Sequence, residues 1–242
     1  MRFKCSILKS SSNQSESVLV RPGGKVVSGK LIWGNVPSWA HDSVRALLES
    51  LKAVEPSTYE HCLRVGEYSR KLARDVGLNE YEQKISEFAG LLHDIGKITI
   101  EKEVLLKPGR LDAKELDIIK SHSIMSEKIV KPLASHPFFA QLLPAIRGHH
   151  ERMDGEGYPD KIIGDEISLF ARIILVVDTY DAMTENRIYR KGLPEEIVFS
   201  ELKRCSGTQF DSQLVKIFLQ AQPYWKDDTE KETLHDIIKK IA

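Results

Sequence analysis

From Ser38 onward the apolar residues return at intervals of three and four, the period of helices that turn one face inward. The pattern predicts helices near 38–53, 57–76, 79–93, 112–130, 138–151, 168–185, 194–204, 212–221 and 229–241. Three of the starts carry capping-box pairs, Asn79 with Glu82, Asp112 with Glu115 and Thr229 with Glu232, in which side chains satisfy the unpaired amides of a first turn. The stretch SLFARIILVVDTYDAM at 168–183 is apolar nearly all round, so it is expected to be a central helix with others packed about it. Before Ser38 the texture differs. A polar run SSSNQSE at 10–16 leads into short β-branched runs flanking Pro-Gly-Gly at 22–24, which reads as a small hairpin. The expected fold is therefore an all-α bundle over 37–242 preceded by a short segment, 1–36, with a β-hairpin. Two long irregular stretches, 94–111 and 151–167, follow directly after histidines, and loops of such length inside a compact domain are usually functional.

Composition narrows the picture slightly. A chain of 242 residues, 41% hydrophobic and 29% charged, can bury one large core. Its 35 basic and 35 acidic residues cancel, so no overall charge draws it to DNA or an anionic membrane. Cys5, Cys62 and Cys205 are odd in number and lack CxxC spacing, which argues against a disulfide framework or a cysteine zinc site. With no secretory leader and no membrane-length apolar run, the expected location is the cytoplasm, without membrane insertion.

Candidate chemistry lies in histidines and aspartates. His61 shares a helix with Tyr59, Cys62, Val65 and Leu72, and the pair His93-Asp94 ends the helix carrying Ile85, Phe88, Ala89 and Leu92. His122 continues a stripe of Ile118 and Ile119, and His149 and His150 lie three and four residues beyond Ile146. Taken singly, a histidine on an apolar face is more often a hydrogen-bonded core residue than a ligand. Asp178 is different, because a carboxylate within IILVVDTYDAM needs a cation if it is buried, whether Arg172, an interhelical partner or a metal. Together the seven residues form an imidazole and carboxylate set suited to first-row transition metals. They are too many for one ion with an open position but suit two ions sharing a carboxylate, the arrangement that drives in-line displacement at phosphorus. Lys97 in HDIGK is either an ordinary surface lysine or a point charge for a phosphoryl oxygen. Arg187 and Arg190 in RIYRK are spaced to hold phosphates, or else form a solvated basic helix end.

The order of blocks then resembles a known family. LLHDIGKI at 91–98, LLKPGRL at 105–111, His122 in IIKSHS, HHERMDGEGYP at 149–159, LFARIILVVDTYDAMT at 169–184, NRIYR at 186–190 and GTQFD at 207–211 are similar to the HD-GYP subfamily of the HD superfamily of metal-dependent phosphohydrolases, over about 55–220. The resemblance implies a helical HD core and hydrolysis of cyclic di-GMP to pGpG or GMP by a hydroxide bridging two ions, with Asp94 and Lys97 as the catalytic residues. It implies one ion on His61, His93, Asp94 and Asp178 and a second on Asp94, His122, His149 and His150, with iron or manganese as the metals. Lys97, Arg187 and Arg190 would meet substrate phosphates, and the loop of Gly157, Tyr158 and Pro159 would shape the pocket or meet a diguanylate cyclase or other signalling protein. Ser57 stands where some members carry a glutamate for a third ion, which favours two. The alternatives left open are another nucleotide substrate and a nucleotide-sensing adaptor module.

Overall fold

Helix starts are set by local side-chain chemistry, and these starts decide where the histidines fall. The computed structural model describes residues 36–185 and 191–227, so the N-terminal hairpin, the Thr229–Glu232 cap with its helix over 229–241, and Arg187 and Arg190 lie outside the described residues. Among the described residues ten α-helices follow one another: α1 (Ala40–Val54), α2 (Pro56–Asp75), α3 (Glu80–Leu92), α4 (Lys102–Leu105), α5 (Ala113–Lys120), α6 (His122–Val130), α7 (Pro137–Gly148), α8 (Leu169–Thr184), α9 (Glu195–Arg204) and α10 (Ser212–Ala221). No strand occurs among the described residues, in keeping with the all-α expectation.

The capping boxes of Asn79–Glu82 and Asp112–Glu115 form as expected at α3 and α5. At α2 the Glu55 carboxylate caps the first turn, accepting from the amides of Ser57 and Thr58, with Pro56 in the first helical position. Glu55 is thus a structural cap. His136 begins α7 in the same way, its Nδ1 accepting from the Phe138 amide at 3.2 Å.

α8 occupies the centre, burying Ala171, Ile173, Ile174, Leu175, Val176, Val177 and Tyr180. α2 packs against both α3 and α8, and α7 against α3, α6 and α8, so the C-terminal ends of α3 and α7 and the middles of α2 and α8 converge. Phe88, Phe138 and Phe139 fill the space between α3 and α7 in edge-to-face contacts.

Two expectations need correction. The single helix over 112–130 is broken at Ser121, which separates α5 from α6. The Ile118–Ile119 stripe does not lead His122 inward either, because Ile118 is 44% exposed and α5 contributes no buried residue, whereas His122 is buried. His122 reaches the interior because the chain redirects after Ser121. The stretch 94–111 is also less irregular than expected, holding a 3₁₀ turn over Ile95–Thr99 and the short α4.

Candidate metal centre

Each histidine of the candidate set sits where the backbone can fix one of its ring nitrogens. His93 and His149 occupy the positions just past the ends of α3 and α7, and His122 opens α6 just after α5 ends. The last carbonyls of a helix have no intrahelical partner. Three of them are taken by imidazoles: His93 Nδ1 donates to the Gly90 carbonyl at 2.6 Å, His122 Nδ1 to Ile119 at 2.6 Å and His149 Nδ1 to Ile146 at 2.7 Å. Since a carbonyl can only accept, Nδ1 carries a proton in each ring and Nε2 is left to face the centre. His61 differs: its Nδ1 lies 2.7 Å from the Asp181 carboxylate and its Nε2 3.1 Å from Asp178, so without a metal both ring nitrogens face carboxylates.

Asp94 lies in the middle. Its carboxylate is 3.6 Å from His61 Nε2, 3.4 Å from His93 Nε2 and 3.1 Å from His122 Nε2, and the Lys97 ammonium rests against it. Gly96 makes this convergence possible. A Cβ there would stand 2.2 Å from the His122 carbonyl oxygen and 2.5 Å from the Ser126 amide, so only glycine lets the turn after Asp94 lie directly on the start of α6. The Gly96 amide also donates to Ser126 Oγ at 2.8 Å, locking the approach.

All seven expected ligands are therefore brought together. Three trios, His61–His93–Asp178, His93–Asp94–His149 and His122–His149–His150, each offer ligand atoms within 4.8 Å of one another. The donor set also fits a cation on its own terms. With their Nδ1 atoms committed to carbonyls, His122 and His149 face each other through Nε2 at 3.1 Å, and buried His93 Nε2 and Asp94 Oδ1 have no hydrogen-bond partner. Ligand atoms packed this closely are repulsive without positive charge between them, of which the Lys97 ammonium and His61 supply a part.

The electrostatics agree. Burial acts first on His149, and with His150, His93 and His122 beside it holds its pKa well below the ordinary histidine value; burial likewise pushes His150 down to about 3. Both stay neutral and ready to ligate. Burial resists ionisation of Asp94 and Asp178, yet Lys97, His93 and His122 hold the Asp94 carboxyl, and His61 chiefly holds that of Asp178, well below the usual range. For His61 burial opposes the charge, but Asp178 and Asp181 outweigh it and lift the pKa to about 9.

Two residues were missed in the sequence. Asp181, buried one turn beyond Asp178, accepts from His61 Nδ1 and takes a two-point grip from Arg64, with Nε at 2.6 Å and Nη2 at 3.0 Å. The signal was there in matched three-residue spacings, His61 to Arg64 on α2 and Asp178 to Asp181 on α8. Arg172, one of the candidate partners for Asp178, instead holds Asp165 at 3.0 Å and Asp211 at 2.8 Å, fastening the start of α8 to α10. Of the GYP loop, Gly157 is buried, while the Tyr158 ring turns inward to stack on His150 at 4.7 Å between centroids.

A family model for the HD domain matches residues 45–214. A protein of Xanthomonas campestris pv. campestris named cyclic di-GMP phosphodiesterase response regulator RpfG is 32% identical over 222 residues, covering 92% of this chain and 58% of its own length. A Thermotoga maritima protein named cyclic di-GMP phosphodiesterase is 33% identical over 183 residues, covering 74% of this chain and 50% of its own. This chain thus spans about half the length of these curated relatives. Among solved structures, a cyclic GMP-AMP specific phosphodiesterase of V. cholerae shares the fold with a TM-score of 0.57 at 20% identity, over 83% of this chain and 52% of its own. With the family model spanning most of the chain and relatives above 30% identity, the chain belongs to the HD domain family.

Proposed function

We propose that this chain is a metal-dependent phosphodiesterase that hydrolyses cyclic di-GMP to the linear dinucleotide pGpG, to GMP, or to both. The observation that carries the reading is the buried convergence of imidazole nitrogens and carboxylates around Asp94, with His122 and His149 Nε2 atoms 3.1 Å apart and His93 Nε2 without a hydrogen-bond partner. In this reading His61, His93, Asp94 and Asp178 hold one divalent ion and Asp94, His122, His149 and His150 a second, iron or manganese in keeping with five imidazoles among seven ligand residues. Such ions, when bound, supply Lewis acidity toward phosphoryl oxygens and lower the pKa of water.

The chain's own residues do the rest. The carbonyls of Gly90, Ile119 and Ile146 and the Asp181 carboxylate hold four imidazoles in place through Nδ1 before any ligand arrives, so little movement of the rings accompanies binding. Lys97 stays charged, because the Asp94 carboxylate more than offsets its burial. It is placed to neutralise a phosphoryl oxygen as charge builds there. Water oxygen adds to one phosphorus, the ribose 3′-oxygen departs with a proton, and the ring opens to a linear dinucleotide. A second such event gives the mononucleotide.

Arg187 and Arg190 are part of the proposal as contacts for the remaining phosphate. So is a signalling partner, a diguanylate cyclase in the first instance, at the outward side of the GYP loop, where Asp154, Glu156, Asp160 and Ile163 are exposed. Cytoplasmic action accords with free, buried thiols at Cys62 and Cys205. The division between a segment 1–36 and a helical domain 37–242 belongs to the same proposal.

The test is anaerobic incubation of iron- or manganese-loaded protein with cyclic di-GMP, cyclic GMP-AMP and cyclic di-AMP, reading products by chromatography. Linear product from cyclic di-GMP, formed faster than from the others, is expected. No product from any of them with metal shown to be bound would overturn the reading. Faster turnover of cyclic GMP-AMP, the substrate in the name of the V. cholerae neighbour, would shift it to that substrate.

A further inference from the structure

Four of the five clustered imidazoles are fixed by a hydrogen bond to Nδ1, and His150 is the exception among the described residues. Among the described residues its ring is held by ring contacts: His149 tilted at 4.0 Å between centroids, His122 edge-on at 5.0 Å, and Tyr158 stacked on its face at 4.7 Å with 29° between planes. The orientation of His150 therefore depends on where Tyr158 lies, and Tyr158 belongs to a loop.

That loop is folded back onto the end of α7 by one buried carboxylate. Glu151, 1% exposed, accepts through Oε1 from the Asp160 amide at 2.6 Å and the Lys161 amide at 3.0 Å. Between these anchors the backbone lies tightly on itself. The Tyr158 amide donates to the His150 carbonyl at 3.2 Å, and a Cβ on Gly157 would stand 2.5 Å from Glu151 Cα. Arg147, still on α7, grips Asp160 from outside with two bonds of 2.7 Å. A buried carboxylate costs several kcal/mol unless it is bonded, and Glu151 Oε2 has no partner. A carboxylate kept there with one oxygen unsatisfied points to a task beyond stability.

We infer that Glu151 is a positioning residue for the metal centre: by holding the Asp160 and Lys161 amides it presses Tyr158 onto His150 and so sets the one imidazole that no hydrogen bond fixes. This rests on the metal-centre reading above. The same linkage runs in reverse, so ligation through His150 tightens the GYP loop.

The experiment uses the full chain and four variants, Glu151→Ala, Glu151→Gln, Tyr158→Ala and Tyr158→Phe. Metal affinity is read by competition with a chromogenic chelator, and loop order by hydrogen exchange over 152–163 in metal-free protein. Glu151→Ala and Tyr158→Ala are expected to weaken the looser of the bound ions about 10- to 100-fold, the usual effect of removing support from a ligand. Glu151→Ala should also speed exchange in the loop. Glu151→Gln keeps an oxygen that accepts both amides, and Tyr158→Phe keeps the ring, so both should stay near wild type. Wild-type affinity in Glu151→Ala and Tyr158→Ala overturns the inference while leaving the metal centre intact, as does equal loss in Tyr158→Phe and Tyr158→Ala. If Glu151→Ala does not fold, Tyr158→Ala alone decides by the same readout. If wild type itself takes up no metal, the metal-centre reading falls and the inference with it.

Discussion

Replacing Asp181 by alanine separates its support of His61 from its role in the fold. The carboxylate accepts His61 Nδ1–H at 2.7 Å and two bonds from Arg64 at 2.6 and 3.0 Å. Its removal frees the His61 ring to rotate and to change tautomer. Loss of such a partner typically lowers metal affinity 10- to 100-fold, about 1.4–2.7 kcal/mol. Breaking a buried ion pair costs about 3–5 kcal/mol. Here the Arg64 side chain is 26% exposed and regains water, so about 2–3 kcal/mol is expected, which for a chain of this size lowers Tm by about 4–12 °C. Asp181→Asn, which keeps an acceptor for His61 but loses the charge facing Arg64, should keep most of the metal affinity while losing stability. Chelator competition measures the first effect and calorimetry of metal-free protein the second. Wild-type metal affinity in Asp181→Ala, alongside a lowered Tm, would refute the reasoning and leave Asp181 as a partner of Arg64 alone.

Other expectations follow from the same geometry. Lys97→Met should lower kcat about 10²- to 10³-fold, the usual effect of losing one charge-stabilising donor, while elemental analysis finds the metal content unchanged. Gly96→Ala forces a Cβ to within 2.2 Å of the His122 carbonyl oxygen, so it should destabilise the fold by about 1–3 kcal/mol in denaturant titration and weaken metal binding as His122 is pushed away. Metal uptake should release protons and tighten as pH rises toward 9, because His61, lifted to about 9 by Asp178 and Asp181 against its burial, must lose its proton before Nε2 can ligate. In metal-free protein the charged His61 stabilises the fold fully below about pH 6.5, the ordinary histidine value, and that contribution fades as pH rises through 9. His149, kept neutral chiefly by burial, works in the opposite sense. It costs about 1.4 kcal/mol for each pH unit below 6.5, where only the unfolded chain takes up its proton, and urea titrations across pH 5–9 would reveal both slopes.

The candidate ligand residues could be picked out because their signals are local. HDIGK and HHERMDGEGYP are contiguous blocks, and Asp178 announces itself as a charge inside an apolar run. The helices carrying them were legible from period and caps, with α2, α8, α9 and α10 falling within about a turn of expectation. What the sequence hid depends on tertiary contact. The break at Ser121 follows no proline or glycine. It shows itself in the bonds it permits, Ser121 Oγ to Ile118 at 2.7 Å and His122 Nδ1 to Ile119 at 2.6 Å. The assignment of Arg64 to Asp181 and of Arg172 to Asp165 and Asp211 depends on which faces of α2, α8 and α10 meet. Adjacent His149 and His150 share one cluster because α7 ends at Gly148, a boundary a few residues earlier than the periodicity suggests. Beyond that end the ordinary divergence of about 100° between helical neighbours no longer applies.

The central claim is that one carboxylate, Asp94, joins two ions in a hydrolytic centre. Elemental analysis of anaerobically prepared protein, combined with cyclic di-GMP turnover on the same sample, tests it most directly when wild type is set beside Asp94→Asn. About two transition-metal ions per wild-type chain with turnover are expected, and loss of both metal and turnover in the variant while the helical circular-dichroism signal persists. A single ion in wild type, or full metal and turnover in Asp94→Asn, would contradict it.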